Sequence, residues 1–333
     1  MTEIKERQRP SLPAEFSEPE PAWVVAYFTY SFALYFGCGY LSYAAAMSSW
    51  PLLLKIPAVA IMALLANNGI HLLGWLAHDG IHLSIVKNKT ANVLLGGFAG
   101  SVLFFPAVGL GIEHWPHHRF TNGEGDPDTF LQAKSQTFWR RFFVARILAN
   151  RQYMKNAFAV LFKRPMHNTY RMPFSDNQLS VFAAVGFGFM AFWLAFYIAV
   201  GIYNLEYFLY AFALPYLLLI PITGLRIYIE HAGTTPEEFK DARSYTSLFY
   251  TVLLFGNNYH LEHHLYPKVP GYKLPRVHKK LAAEGYYKRF QSPIVHGVIA
   301  PLRYTTKRYS YPDSRPVAAG TAASPQGKGV ANV

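Results

Sequence analysis

The chain has 333 residues, 52% of them hydrophobic and 17% aromatic, with a formal net charge of +12. Several uncharged apolar runs reach the roughly 20 residues a helix needs to cross a bilayer, which excludes an ordinary water-soluble globule. The basic residues fall between those runs, as the positive-inside rule requires, and do not mark a nucleic-acid surface. A single cysteine, Cys38, excludes disulfides and cysteine-ligated clusters within one chain.

Residues 1–22 carry Pro10, Pro13, Pro19 and Pro21 and read as a polar, disordered or surface-lying arm without a cleavable signal. The charge-free run 23–47 is the first expected span, and 56–77 is the second, with Asn67, Asn68 and His71 in its later half. A continuing helix then delivers His78 and His82, four residues apart and therefore on one face. Run 91–112 is also uncharged, but Gly96, Gly97, Gly100, Pro106, Gly109 and Gly111 interrupt it. A full crossing here would place His114 about 30 Å from His82. The segment is therefore expected to be re-entrant or partly embedded, with its irregular backbone buried by protein.

Residues 113–178 interleave Arg140, Arg141, Arg146, Arg151, Lys155, Lys163, Arg164 and Arg171 with apolar side chains. That alternation fits amphipathic helices at the membrane surface or a basic cytoplasmic loop. Runs 179–205 and 207–225 are the third and fourth spans, and their short connection predicts an antiparallel hairpin; Arg226, Glu230 and His231 mark the exit. Run 246–256 is half a span long and is expected to be interfacial or buried, while the Ala, Gly, Ser and Pro-rich tail 311–333 is expected to be disordered. All Lys and Arg except Lys55 and Arg226 fall in the arm, the histidine-bearing segments or the tail. Both termini and all histidine clusters are thus expected on the cytoplasmic side, at the plasma membrane if the source is bacterial. The expected fold is an all-α integral membrane protein: one domain over 23–310, four transmembrane helices in two hairpins, a re-entrant or interfacial segment, and a cytoplasmic histidine-rich helical cap.

The chemistry lies in three clusters: His78 and His82; His114, His117 and His118; and His260, His263 and His264. A lone histidine is ordinarily a packed or solvent-facing side chain, but eight in three spaced clusters on one side of a membrane point to metal. One zinc takes about four ligands, so the natural count is two ions, and nitrogen-rich sites suit iron, zinc, copper or nickel. Asp79 is placed to hold a ligand imidazole by its free N–H. His71 lies two turns before His78 and reads as a core residue, and His167, His278 and His296 have no cluster partners.

The pattern His-x3-His, His-x2-His-His, His-x2-His-His resembles the membrane fatty acid desaturase and hydroxylase superfamily over about residues 60–290. The stretch YHLEHHLYPKVPGYKL from Tyr259, and Glu230-His231-Ala232-Gly233 before it, are similar to bacterial fatty acyl desaturases. The resemblance implies a non-haem di-iron centre that uses O2 to remove hydrogen from an unactivated C–H bond. It carries ligand roles to the eight clustered histidines, with His231 as a ninth. It also implies a polar residue reaching the centre through water, for which Asn257 and Asn258 are candidates; both could equally be helix-capping amides. Asp126 and Asp128 in GEGDPD resemble a family feature, though a Gly, Pro and Asp-rich turn explains them as well. Histidine in place of glutamine at the start of the third box departs from front-end desaturases.

The reaction expected from the resemblance is fatty acyl desaturation. Electrons would come from a separate ferredoxin, rubredoxin or cytochrome-type donor, attracted by the basic face. The alternatives on the same scaffold are a hydroxylase or ketolase acting on a carotenoid, sphingolipid or alkane, or a fatty acid decarboxylase. A metal transporter would need ligands within the spans, and a zinc hydrolase would need a motif such as His-Glu-x-x-His, which is absent.

Overall fold

The computed structural model describes residues 8–165 and 172–307; the tail, the first seven residues, His167 and Arg171 lie outside the described residues. Among the described residues, four helices are long and apolar enough to cross a membrane. The first, α1, runs from Pro21–Phe32 through a π-helical turn at Ala33–Cys38 into Gly39–Met47. Pro51 then leads into α2 (Leu52–Ile81), whose 30 residues extend about 45 Å at 1.5 Å per residue.

Along α2 the surroundings change from lipid-like to core. Leu53, near its start, is 85% exposed, whereas Ile70, Leu72, Leu73, Leu76, Ala77 and Ile81 are closed off on every side. An exposed apolar half and a fully enclosed half suit a helix whose first part faces lipid and whose second part is enclosed by protein.

Asn88 caps α3 (Lys89–Ser101) by accepting the Ala91 N–H at 2.9 Å. The chain then breaks at 102–106, where Phe104 takes a positive φ of 52°, and resumes after Pro106 as α4 (Ala107–Phe120). The glycine-interrupted run is therefore two helices with a turn between them. Two close approaches set their positions. A Cβ on Gly80 would lie 2.8 Å from the Gly96 Cα, so α2 and α3 cross where only glycines fit, and Gly109 of α4 lies directly against the Tyr153 carbonyl.

The basic region folds as α5 (Pro127–Ala133) and α6, which comprises Phe138–Arg140, a π-helical turn at Arg141–Ala145, and Arg146–Leu161. Exposed Trp139, Phe143, Ile147, Phe158 and Phe162 alternate along α6 with its cations, as an interfacial helix requires. Ser175 and Gln178 form a capping box at the start of α7 (Asp176–Tyr203). Asn204 then starts α8, built from Leu205–Phe208, a π-helical turn at Leu209–Ala213, and Leu214–His231.

α1, α3 and α8 all pack on α2, while α7 packs on α3 and α6. Side-chain contacts give the directions. Asn204 donates to the Tyr43 hydroxyl at 3.2 Å near the end of α1, and Asn257 donates to the Tyr27 hydroxyl at 2.8 Å near its start. The turn after α1 and the turn after α7 therefore lie together, away from the histidine clusters.

The fold is mostly helical, as expected, with one small β element beside the helices. Strand β1 (Ser244–Thr246) pairs in parallel with β2 (Ile294–His296), Tyr245 opposite Val295. Two strands of three residues leave no alternating pattern long enough to read, and their pairing spans about fifty residues. Between them lie α9 (Leu248–Leu253), which exposes Leu248, Phe249 and Val252, then α10 (His260–Leu265), α11 (Leu274–Ala283) and α12 (Tyr286–Phe290). The described part of the N-terminal arm lies over this region: Lys273 donates to the Glu15 and Glu18 carbonyls, and Tyr266 donates to that of Pro10.

Candidate metal centre

Four helix ends converge. α2 ends in His78 and His82, α4 in His114, His117 and His118, and α8 in His231, while α10 carries His260, His263 and His264. All are buried except His118, which is half-buried. The ring nitrogens of His78, His82, His114, His118 and His263 lie within 4.8 Å of one another, and so do those of His117, His231 and His264. His260 joins the second group, its Nε2 being 2.9 Å from that of His231.

The spacing inside the groups suits shared ions. Nε2 to Nε2 distances are 2.9 Å for His78 and His114, 3.0 Å for His114 and His118, and 3.0 Å for His118 and His263. Two nitrogens each about 2.1 Å from one ion and at right angles to it would be about 3 Å apart. In addition, the buried Nε2 atoms of His82 and His264 have no hydrogen-bond partner. Buried nitrogens left unpaired and aimed inward are what a metal site requires. The residues present therefore fit metal bound by imidazole nitrogen.

Behind the rings stand oxygen acceptors. Both Asp126 oxygens contact His117 Nδ1, at 2.9 and 3.0 Å. Asp128 faces His114 Nδ1 at 3.4 Å, Asp79 faces His78 Nδ1 at 3.4 Å, and the Asp241 carbonyl faces His231 Nδ1 at 3.1 Å. Such partners keep the proton on Nδ1 and turn the Nε2 lone pair toward the centre. Burial holds His82, His118, His263 and His264 well below the ordinary histidine value, so these rings are neutral and able to ligate. His117 departs from that pattern: burial depresses it, but the Asp126 charge and hydrogen bond, with Asp128 behind, raise it to about 9, so an ion bound there must displace the Nε2 proton while Nδ1–H stays on Asp126.

Asp126 and Asp128 thus acquire a geometric role that their turn-like sequence did not reveal. Asp126 also accepts the N–H groups of Asn122, Asp128 and Thr129, so it caps α5 while holding His117. Asn257 and Asn258 are used in the frame. Asn257 donates to Tyr27 and to the Leu254 carbonyl, and Asn258 to the Tyr245 carbonyl. His71 accepts from Trp75 at 3.1 Å and lies 3.2 Å from the Arg226 guanidinium, a satisfied core position.

Sequence reasoning passed over Glu262 and set His278 aside. Glu262 is fully buried on the far side of α10, where it accepts from Ser244, His278 and Tyr287. This bracket fixes the third box from behind. A glutamate between the box histidines, on the opposite helix face, was the available signal.

Beside the centre lies a cavity of about 120 Å³, whose walls include His78, His114, His231, Trp75, Arg146 and Arg226. Arg226 is neutralised there by Glu230 at 2.7 Å and stacks over Trp75.

These features define a membrane protein with buried histidine groups that could hold metal and a cavity beside them. A fatty acid desaturase family profile matches residues 48–293, most of the length, and the chain belongs to that family. It is 27% identical over 247 residues to dihydrorhizobitoxine desaturase of Bradyrhizobium elkanii, covering 64% of this chain and 65% of that protein. To the sphingolipid delta(4)-desaturase DES1 of Pongo abelii it is 28% identical over 219 residues, covering 63% and 61%. The human DES1 matches at 27% over the same shares. The chain thus spans less than two thirds of the length of these curated relatives.

Proposed function

We propose that the chain is an oxygen-dependent membrane oxidoreductase that desaturates an acyl chain at a pair of iron ions. The observation that carries this is the nine-imidazole cluster, divided five and four, with oxygen acceptors behind four of the rings. His78, His82, His114, His118 and His263 would hold one ion, and His117, His231, His260 and His264 the other. Bound iron would supply oxygen activation and hydrogen removal from an unactivated C–H bond, chemistry that belongs to the cofactor.

The protein's part is positioning. Asp126 and Asp128 orient His117 and His114, the Glu262 bracket and the Gly80 to Gly96 crossing hold the boxes, and the cavity presents substrate to one edge of the cluster. Hydroxylation or decarboxylation would need the same parts; the branch depends on where the second hydrogen lies. The four long helices form two hairpins with both termini and the cluster on the cytoplasmic side, as the charge distribution favours. In a bacterium this is the plasma membrane. Reducing equivalents come from a separate ferredoxin, rubredoxin or cytochrome-type protein drawn to the basic face.

The test is expression in a host with simple lipids, with metal analysis of the purified protein and mass spectrometry of the lipid extract. The expected result is a pair of iron ions per chain and a new double bond that needs both O2 and reductant. Zinc in place of iron, or product formed under strict anoxia, refutes the proposal.

A further inference from the structure

The cavity beside the histidines contains a charge that the reaction does not use. Arg146 opens the last section of α6 and lines the cavity together with His114 and His231. Among the described residues its guanidinium has no hydrogen-bond acceptor and no carboxylate within ion-pair distance; its contact is the Phe105 ring, 4.8 Å from Cζ. The neighbouring acids are committed elsewhere. Asp128 is taken by His114 and by the Tyr153 hydroxyl at 3.3 Å, and Glu230 by Arg226 at 2.7 Å.

The other arginines of the cap interior are all answered. Arg141 donates to the Ser135 and Thr305 carbonyls, and Arg243 to those of Ile229 and Ala232. An arginine stays protonated in proteins; Arg146 is half-buried, and a charge partly removed from water without a counter-ion is costly. Burial accordingly pulls Arg146 below the ordinary arginine value. The fork of donors, steadied from one side by the Phe105 ring, faces a space that its ligand would occupy.

Resting on the oxidoreductase reading above, we propose that the substrate carries a carboxylate which Arg146 binds inside the cavity, so that the reacting C–H lies only a few bonds from an anionic end. Size agrees with this. A cavity of about 150 Å³ accepts a benzene ring, so the 120 Å³ here takes about five non-hydrogen atoms at a time. A short acid fits whole, and of a longer acyl chain the carboxylate end does. Phosphate oxygen, from a lipid headgroup or free in solution, shares the oxyanion chemistry and is separated by experiment.

The test is calorimetric binding of butanoate, butanamide and inorganic phosphate to the full-length, iron-loaded protein in detergent, and to Arg146→Gln and Arg146→Lys. Hydrogen bonds to a charged partner predict butanoate binding about 10- to 100-fold more tightly than its amide. Arg146→Gln should erase that ratio and Arg146→Lys keep most of it, with iron content and melting temperature recorded for each. Equal affinity for acid and amide in the unmodified protein overturns the proposal, as does a preference that survives Arg146→Gln. Phosphate binding without butanoate binding overturns the carboxylate assignment. Failure of the oxidoreductase reading would show separately, as zinc in place of iron in a protein that still selects acid over amide through Arg146.

Discussion

Replacing Asp126 with Asn tests whether the carboxylates behind the rings control the metal. The side chain keeps its shape and one oxygen, which can still meet His117 Nδ1 and the N–H groups of Asp128 and Thr129, now 2.9 to 3.1 Å from Oδ1. The other oxygen becomes an NH2 facing the Asn122 N–H, which now donates to Oδ2 at 2.8 Å. Donor against donor leaves a buried N–H unanswered, at a cost of about 1–3 kcal/mol in fold stability. Loss of the charge behind a ligand imidazole typically lowers metal affinity about 10- to 100-fold, or about 1.4 to 2.7 kcal/mol. Only the group containing His117 should suffer. Iron-loaded protein in detergent, dialysed against chelators of graded strength, should therefore lose one ion well before the other, with melting temperature as the control on folding. A competition curve identical to that of the unmodified protein would remove Asp126 from this role. Loss of both ions in step would refute the five-and-four division.

Three further outcomes are expected. His263→Ala removes a nitrogen from the five-histidine group and should abolish activity and lower iron content while the protein still inserts; full activity in that variant would take the clusters out of the reaction. Glu262→Gln keeps one oxygen for the His278 and Tyr287 donors and turns the one that accepts from Ser244 into an NH2, costing about 1–3 kcal/mol; an unaltered melting temperature would refute the bracket. Gly80→Ala drives a methyl to 2.7 Å from the Asn92 carbonyl, an overpacking cost of about 1–3 kcal/mol. Gly97→Ala meets nothing within 4 Å and should melt as the unmodified protein does; equal behaviour of the two variants would deny the tight crossing.

Much of the architecture was written locally. Charge-free runs of bilayer length announced the four long helices, and the glycines and Pro106 announced the break between α3 and α4. The histidine boxes were legible because neighbours three and four apart share a helix face, so each box could be recognised before its partners were known. Deciding which box meets which was beyond local pattern. His118 and His263 are 145 residues apart in the chain and 3.0 Å apart in the fold, a proximity that rests on how α2, α4, α8 and α10 pack.

The same limit explains what was missed. Asp126 and Asp128 looked like turn residues because a turn and a support for imidazole use the same side chain, and only the position of α4 distinguishes them. Glu262 and His278 are 16 residues apart and meet only because α10 and α11 fold together. Arg146 was one of many cations in a basic segment until packing gave its neighbours partners and left it facing a cavity. Composition and spacing determine which chemistry the side chains can perform, because those properties belong to each residue and its near neighbours. Which groups are paired, buried or left waiting for a ligand is a property of distances between remote residues, and only the tertiary structure decided it.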